Sequence, residues 1–199
     1  MTFQYISDIH LEHYKIDEII KLVPKCISKY LILAGDIGYP QKPQYKEYLK
    51  LVSQIWEKVF VVAGNHEYYQ IDNINNDQVY NEIKTKDEID KLIYDITTEF
   101  ENVYFLQNSK IELDIDDQKF VILGTTLFSN VQPKNFIILS AINDFKYIYT
   151  INTIDTIDTT HDIITPQQIQ IKTPIKLSDY IEFYNEAKHF LETELNYYK

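Results

Sequence analysis

The chain has 199 residues, of which 45% are hydrophobic and 25% charged, enough to bury the core of one globular domain. A formal charge of −11 excludes a general nucleic-acid or anionic-membrane surface, and no apolar stretch approaches the length of a membrane span. Cys26 is the only cysteine, which excludes an intrachain disulfide, and the start enters a strand without room for a leader, so a cytoplasmic location is expected.

In chain order, the first β-like segment, Phe3 to Ser7, runs into Asp8-Ile9-His10. Ile16, Ile19, Ile20, Val23 and Ile27 then recur at helical spacing and predict a crossover helix, kinked or split at Pro24. A second strand, Tyr30 to Ala34, stops at Gly35-Asp36. Pro43 opens a clearer helix with Tyr45, Tyr48, Leu49, Val52, Ile55 and Trp56 on one face, proline being well placed in a first turn. The third strand, Val59 to Ala63, ends in Gly64-Asn65-His66-Glu67. Strands alternating with helices predict a parallel α/β sheet.

Tyr68-Tyr69 follows and has two readings, a stacking platform for a substrate or ordinary packing. After a polar loop from Asp72 to Asp77, Ile89, Leu92, Ile93, Ile96 and Phe100 form the stripe of a long helix. Val103 to Gln107 reads as a strand, and Lys110 to Ile115 with Lys119 to Leu123 as a hairpin across Asp116-Asp117. Asp114, Asp116 and Asp117 lack the glycine and distal glutamate of a calcium loop, so they read as a solvated turn. Gly124-Thr125-Thr126 is expected to return a loop towards the strand ends. Residues 150–174 form a low-complexity insertion alternating Ile with polar residues, either an edge strand or a mobile segment. A last amphipathic helix is predicted from an N-cap at Ser178, with Asp179 and Glu182 in its first turn and Ile181, Tyr184, Leu191 and Leu195 on its apolar face.

Three times, then, a short apolar strand ends in a carboxylate, imidazole or amide. Ligands of open α/β sheets bind outside the carboxyl ends of the strands. Asp8, His10, Asp36 and Asn65 are therefore expected to meet in one cleft. Carboxylate oxygens mixed with imidazole and amide suit divalent metals such as Mn, Fe or Zn, and the chemistry implied is metal-assisted hydrolysis.

Asp8-x-His10, Gly35-Asp36 and Gly64-Asn65-His66-Glu67 resemble the first three motifs of the calcineurin-like metallophosphoesterases. The resemblance continues more weakly through Leu123 to Ser129 and Asn143-Asp144-Phe145. It implies an α/β fold of αββα architecture with a sheet flanked by helices, incomplete at its C-terminus, over a single domain of residues 1–199. By the same resemblance Asp8 and His10 would bind a first metal, Asp36 would bridge two, and Asn65 would bind the second, with Mn, Fe, Zn or Mg as cofactor. His66 would be the general acid or a phosphate contact. The implied substrate is a phosphate mono- or diester, small molecule or nucleotide.

The remaining family motifs, which carry further histidines, have no counterpart. The histidines here are His10, His13, His66, His161 and His189, the last of which reads as a residue on the face of the final helix. The expectation is of a truncated or split member with weakened metal affinity, whose site and sheet a second polypeptide would complete. The alternative is a non-catalytic interaction module of the same fold. His13 and His161 read as surface residues, because ligating imidazoles need a rigid surround. No arginine occurs, so a phosphate would rely on metals, His66, lysines and backbone amides. Four glycines remain where average usage gives about 14. They are Gly35, Gly38, Gly64 and Gly124, all in or beside the segments singled out above, where close backbone approach is expected.

Overall fold

Tyr30–Ala34 and Lys58–Val62 are near-continuous apolar runs, the composition of strands covered on both faces. In a computed structural model they are central strands of a parallel sheet. Residues 2–71, 83–115, 118–131, 141–158 and 165–198 are described here, without the side chains of 156–158 and 165–167. The sheet runs β1 (Phe3–Ile6), β2 (Tyr30–Ala34), β3 (Lys58–Val62), β4 (Val103–Phe105), in that spatial order and all parallel. Register is in step across it: Tyr5 pairs Ile32, and Ile32 pairs Phe60.

Alternation along these strands sorts their side chains between two cores. Leu31, Leu33, Val59, Val61 and Val103 face helices α1 (Pro43–Ser53) and α2 (Lys86–Thr97). Tyr30, Phe60 and, half-buried, Phe3, Ile32, Val62 and Tyr104 face the antiparallel hairpin β5 (Ser109–Ile115) and β6 (Gln118–Gly124), which contributes Leu113, Ile111, Phe120 and Ile122. The layers are thus helix, parallel sheet and hairpin.

Helix α1 begins at Pro43 and buries Tyr45, Tyr48, Leu49 and Val52 completely. Trp56 is buried just past its end, whereas Ile55 turns outward. Helix α2 starts at a capping box in which Thr85 Oγ1 accepts the Glu88 N–H and Glu88 accepts the Thr85 N–H. Its stripe of Ile89, Ile93 and Ile96 is buried, as the periodicity predicts.

Three elements differ from expectation. The segment with Ile16 to Ile27 is not a crossover α-helix: it holds one short 3₁₀ turn, Ile19–Leu22, and another, Leu11–His13, precedes it. Of its isoleucines only Ile19 is buried, and Val23 is extended because the ring of Pro24 disfavours a helical residue before it. The low-complexity stretch forms two strands, β7 (Tyr149–Asp158) and β8 (Thr165–Pro174), which pair antiparallel with each other and not with the main sheet. It is preceded by the single-turn α3 (Asp144–Tyr147). The last helix, α4 (Leu177–Tyr197), is capped at Lys176, not at Ser178: the Asp179 carboxylate accepts the Lys176 N–H at 2.7 Å. Its buried face is Tyr180 and Ala187 with Phe183 beside them, packed on Phe128, and Leu195 is exposed. The loop from Asp72 to Asp77, the turn Asp116-Asp117 and His161 lie outside the described residues. No described helix is long and apolar enough to cross a membrane.

Candidate metal centre

Strands β1, β2 and β3 end side by side, and their exit loops keep pairing after the strands stop. Asp8 N donates to Gly35 O at 3.1 Å, His10 N to Asp36 O at 3.1 Å, and Leu11 N to Ile37 O at 2.9 Å. This lattice places the side chains singled out at the first two strand ends together. Ligand atoms of Asp8, His10 and Asp36 all lie within 4.8 Å of one another, close enough to share one ion.

The backbone carries strain at the same three places. Asp8, His10 and Asp36 have φ of 55°, 54° and 53°, and Asn108 is the remaining non-glycine with positive φ among the described residues. Such left-handed residues cost free energy and persist where the surround over-determines them, often at functional sites. Gly35, at φ 86°, lies so close to Gly64 that a Cβ would come within 2.8 Å of the Gly64 Cα. A Cβ at Gly64 would collide in turn with the Asp36 carboxylate. Glycine at both positions lets the β2 and β3 exits touch.

Glu67 fastens that contact. It is fully buried, and its carboxylate accepts four backbone N–H groups: Gly64 at 2.8 Å, Asp36 at 3.0 Å, Ile37 at 2.7 Å and Gly38 at 3.4 Å. Burial, then the neighbouring Asp36 carboxylate, push Glu67 up to about 7, while the N–H groups of Ile37, Gly64 and Asp36 pull the other way. The position of Glu67 is that of a clamp between two strand exits.

Asn65 and His66 hang from the same clamp. His66 N donates to Asp36 Oδ1 at 3.0 Å, so the third loop holds one oxygen of the candidate bridging carboxylate. Asn65 Nδ2 donates to Asp144 Oδ1 at 2.8 Å and to the Tyr69 hydroxyl at 2.9 Å, and Tyr69 itself donates to Asp144 at 2.6 Å. With the nitrogen anchored, Oδ1 is the end of the amide left for a cation. Asp144 is buried, and its Asn143-Asp144-Phe145 stretch was only a weak signal in sequence. The tyrosine pair is packing: Tyr68 and Tyr69 are 1% and 4% exposed.

His10 and His66 meet edge to face with ring centroids 4.6 Å apart. Between them stands Glu12, which sequence reasoning missed. Its side chain is 4% exposed, and Oε1 lies 3.1 Å from His10 Nδ1, 3.9 Å from His66 Nδ1 and 4.0 Å from His13 Nε2. The first is a hydrogen bond and the others are charge contacts. Burial alone would raise Glu12, but the imidazoles of His66 and His10 hold it below the ordinary carboxylate range. Reciprocally, Glu12 raises His66 against the effect of burial, with Asp36 adding to the shift. His13 is otherwise solvent-facing, and His189 lies on the exposed face of α4.

A cleft of about 360 Å³ opens on the Asn65 side, lined by Gly64, Asn65, Thr126, Phe128, Asp144 and Tyr180 among others. The loop after β6 reaches it as expected, with Thr126 Oγ1 donating to Ala63 O at 2.6 Å.

The donor set fits a divalent cation. Two carboxylates, an imidazole whose far nitrogen is hydrogen-bonded to a carboxylate, and an amide oxygen are oxygen-rich, mixed ligands of borderline hardness. Among the described residues the groups of three or more His, Cys, Asp or Glu able to hold an ion are Asp8-His10-Asp36 and His10-Glu12-His66, which share His10.

Comparison with known proteins agrees with this architecture. A sequence model described as calcineurin-like phosphoesterase matches residues 1–185. An uncharacterized protein, L509, of Acanthamoeba polyphaga mimivirus is 36% identical over 161 residues, covering 75% of this chain and 52% of its own length. The chain thus spans about half the length of that relative. Among solved structures, a phosphopantetheinyl hydrolase from Mycobacterium tuberculosis superposes with a TM-score of 0.54 at 19% identity, over 74% of this chain and 54% of that one. At that identity the likeness is one of fold.

Proposed function

The chain belongs to the calcineurin-like phosphoesterase family, and from that premise we propose that it hydrolyses a phosphate ester, mono- or diester, with a divalent cation held by Asp8, His10 and Asp36 and with Asn65 as a donor, beside Asp36, to a second. The observation that carries this is the convergence of Asp8, His10 and Asp36 within 4.8 Å, each in a left-handed backbone conformation. Bound there, a cation such as Mn, Fe, Zn or Mg would supply Lewis acidity to the phosphoryl oxygens and bring water into its reactive form.

The chain's own residues do the rest. Asp8 and Asp36 supply the negative charge that selects a cation. Asp36 keeps one oxygen on the His66 N–H, and its other oxygen would serve the ion. Asn65 is held by Asp144 and Tyr69, so its oxygen enters the site already oriented. His66 is one-third exposed and is kept cationic to higher pH by Glu12 and Asp36, as suits a donor of a proton to a leaving alkoxide.

The described residues furnish one well-provided cation position, since a second ion would have only Asp36 and Asn65. A second polypeptide, or another stretch of chain, completing the shell has one feature in its favour: β1 is an edge strand of the described sheet, with Tyr5 79% exposed. A non-catalytic module is the reading left if no ion binds.

Metal content per chain, followed by hydrolysis of an aryl phosphodiester and an aryl phosphomonoester with added Mn²⁺, tests the proposal. Asp36→Asn is expected to lower both Mn²⁺ affinity and turnover by more than about 100-fold, the scale of losing a shared ligand and its charge. Absence of bound metal and of turnover in the unaltered protein would sink it.

A further inference from the structure

We infer that Glu12 is a positioning residue of the metal centre, whose buried carboxylate fixes which nitrogen of His10 faces the cation and holds His66 beside it. The inference rests on the proposed cation site and adds a residue that the strand-end pattern does not contain.

Glu12 lies in the turn Leu11–His13, whose backbone is tied to the β2 exit through Leu11 N and Ile37 O. Its side chain is 96% covered, yet the cationic or potentially cationic groups within 4.0 Å of it among the described residues are the imidazoles of His10, His13 and His66. A buried carboxylate requires compensation. Here that compensation comes from side chains of the site rather than from a lysine elsewhere in the fold. Oε2 is buried without a hydrogen-bond partner, and so is Nδ1 of His66. Both atoms belong to one cluster of site side chains, where an unpaired buried polar atom calls for an explanation.

The geometry has a direct chemical consequence. A neutral imidazole carries one N–H and one lone pair. The 3.1 Å contact of His10 Nδ1 with Glu12 Oε1 assigns the proton to Nδ1, since the carboxylate can only accept. The lone pair is thereby placed on Nε2, the nitrogen left to meet an ion shared with Asp8 and Asp36. Carboxylates behind ligating histidines act in this way, fixing tautomer and ring orientation together. The His66 ring stands 4.6 Å from the His10 ring and 4.4 Å from that of Tyr69, and its Nδ1 lies 3.9 Å from the same carboxylate.

The test uses the full chain, Mn²⁺ as probe, and the variants Glu12→Ala and Glu12→Gln. Glutamine retains a carbonyl that accepts the Nδ1–H, and alanine does not. Calorimetric titration is expected to give Mn²⁺ affinity about 10- to 100-fold weaker for Glu12→Ala, the usual cost of removing such a partner, with most of it restored in Glu12→Gln. Imidazole nitrogen resonances of the metal-free protein give a readout that packing alone would not move. His10 is expected as the Nδ1–H tautomer in the unaltered protein and in Glu12→Gln, and as a mixture in Glu12→Ala. Wild-type affinity in Glu12→Ala, or an Nε2–H tautomer of His10 in the unaltered protein, overturns the inference. The tautomer measurement needs no variant, so it decides even if Glu12→Ala fails to fold. If the unaltered protein binds no Mn²⁺, the cation site falls and this inference with it; if it binds and Glu12→Ala binds equally, only the role of Glu12 falls.

Discussion

The exits of β1 to β3 and the β7–β8 hairpin are built from similar residues and obey opposite rules. At the exits, Leu31, Leu33, Val59 and Val61 are sealed on one face of the sheet, and backbone groups beyond the strands are bonded to Glu67 or to one another. Among the described side chains of the hairpin, the base is sealed, through Ile148, Tyr149 and Ile175, while Ile151, Ile154 and Ile169 are 50%, 37% and 41% exposed. One region is fixed by burial and by a buried charge bonded to four amides. The other is fixed by its own ladder and by polar tethers at its foot. The lesson is that the candidate site lies where over-determination is greatest, because left-handed aspartates and a left-handed histidine survive only in a frame that leaves them no alternative.

The largest break in that frame should come from Glu67. Glu67→Ala strips the acceptor from four N–H groups at once. Each buried donor left without a partner costs about 1–3 kcal/mol, and with water reaching some of them the sum is about 4 kcal/mol. Urea unfolding measures it. A loss under about 1 kcal/mol would mean that the two exits are held by something other than this clamp.

Next in size is a matched pair of truncations. Leu33→Ala, in the sealed face of β2, is expected to cost about 2–5 kcal/mol. Ile169→Ala, on the hairpin, should stay within about 0.5 kcal/mol. Equal costs from the two unfolding curves would erase the contrast between regions.

The same contrast governs what the sequence made legible. Tyr30–Ala34 was bounded correctly because a strand buried on both faces has no polar residue to blur it. Asp8, His10 and Asp36 stood out because each interrupts such a run at its end. Where isoleucine and tyrosine are abundant everywhere, periodicity misleads. Ile16, Ile20 and Ile27 keep helical spacing in a segment that Pro24 keeps from being a helix, and all three are exposed. On α4 the buried face is chosen by Phe128, distant in sequence, and not by the most hydrophobic stripe. Glu12 and Glu67 were under-read for a related reason. Their partners are settled by which loops abut, and Glu67 reaches 31 residues back to the Asp36 N–H. The one clue to Glu12 was a carboxylate two positions after a candidate ligand histidine.

The smallest effect tests the hairpin's tether. Lys172 of β8 pairs with Glu88 of α2 at 2.9 Å, and its Nζ also donates to Ile83 O at 2.8 Å. Lys172 first, and the Thr85 N–H second, lower Glu88 below its ordinary value of 4.5. A carboxylate depressed in the folded state contributes stability that is fully present above its unfolded value and is lost as pH falls through the folded one. Because the Glu88 carboxylate is exposed to solvent, screening limits the pair to well under 1 kcal/mol. Glu88→Gln should therefore be slightly less stable than the unaltered protein at pH 7, with the gap closing below about pH 4 and narrowing in high salt. A gap that persists unchanged into acid would locate the effect in the helix cap that Glu88 shares with Thr85, leaving the hairpin held by its buried base alone.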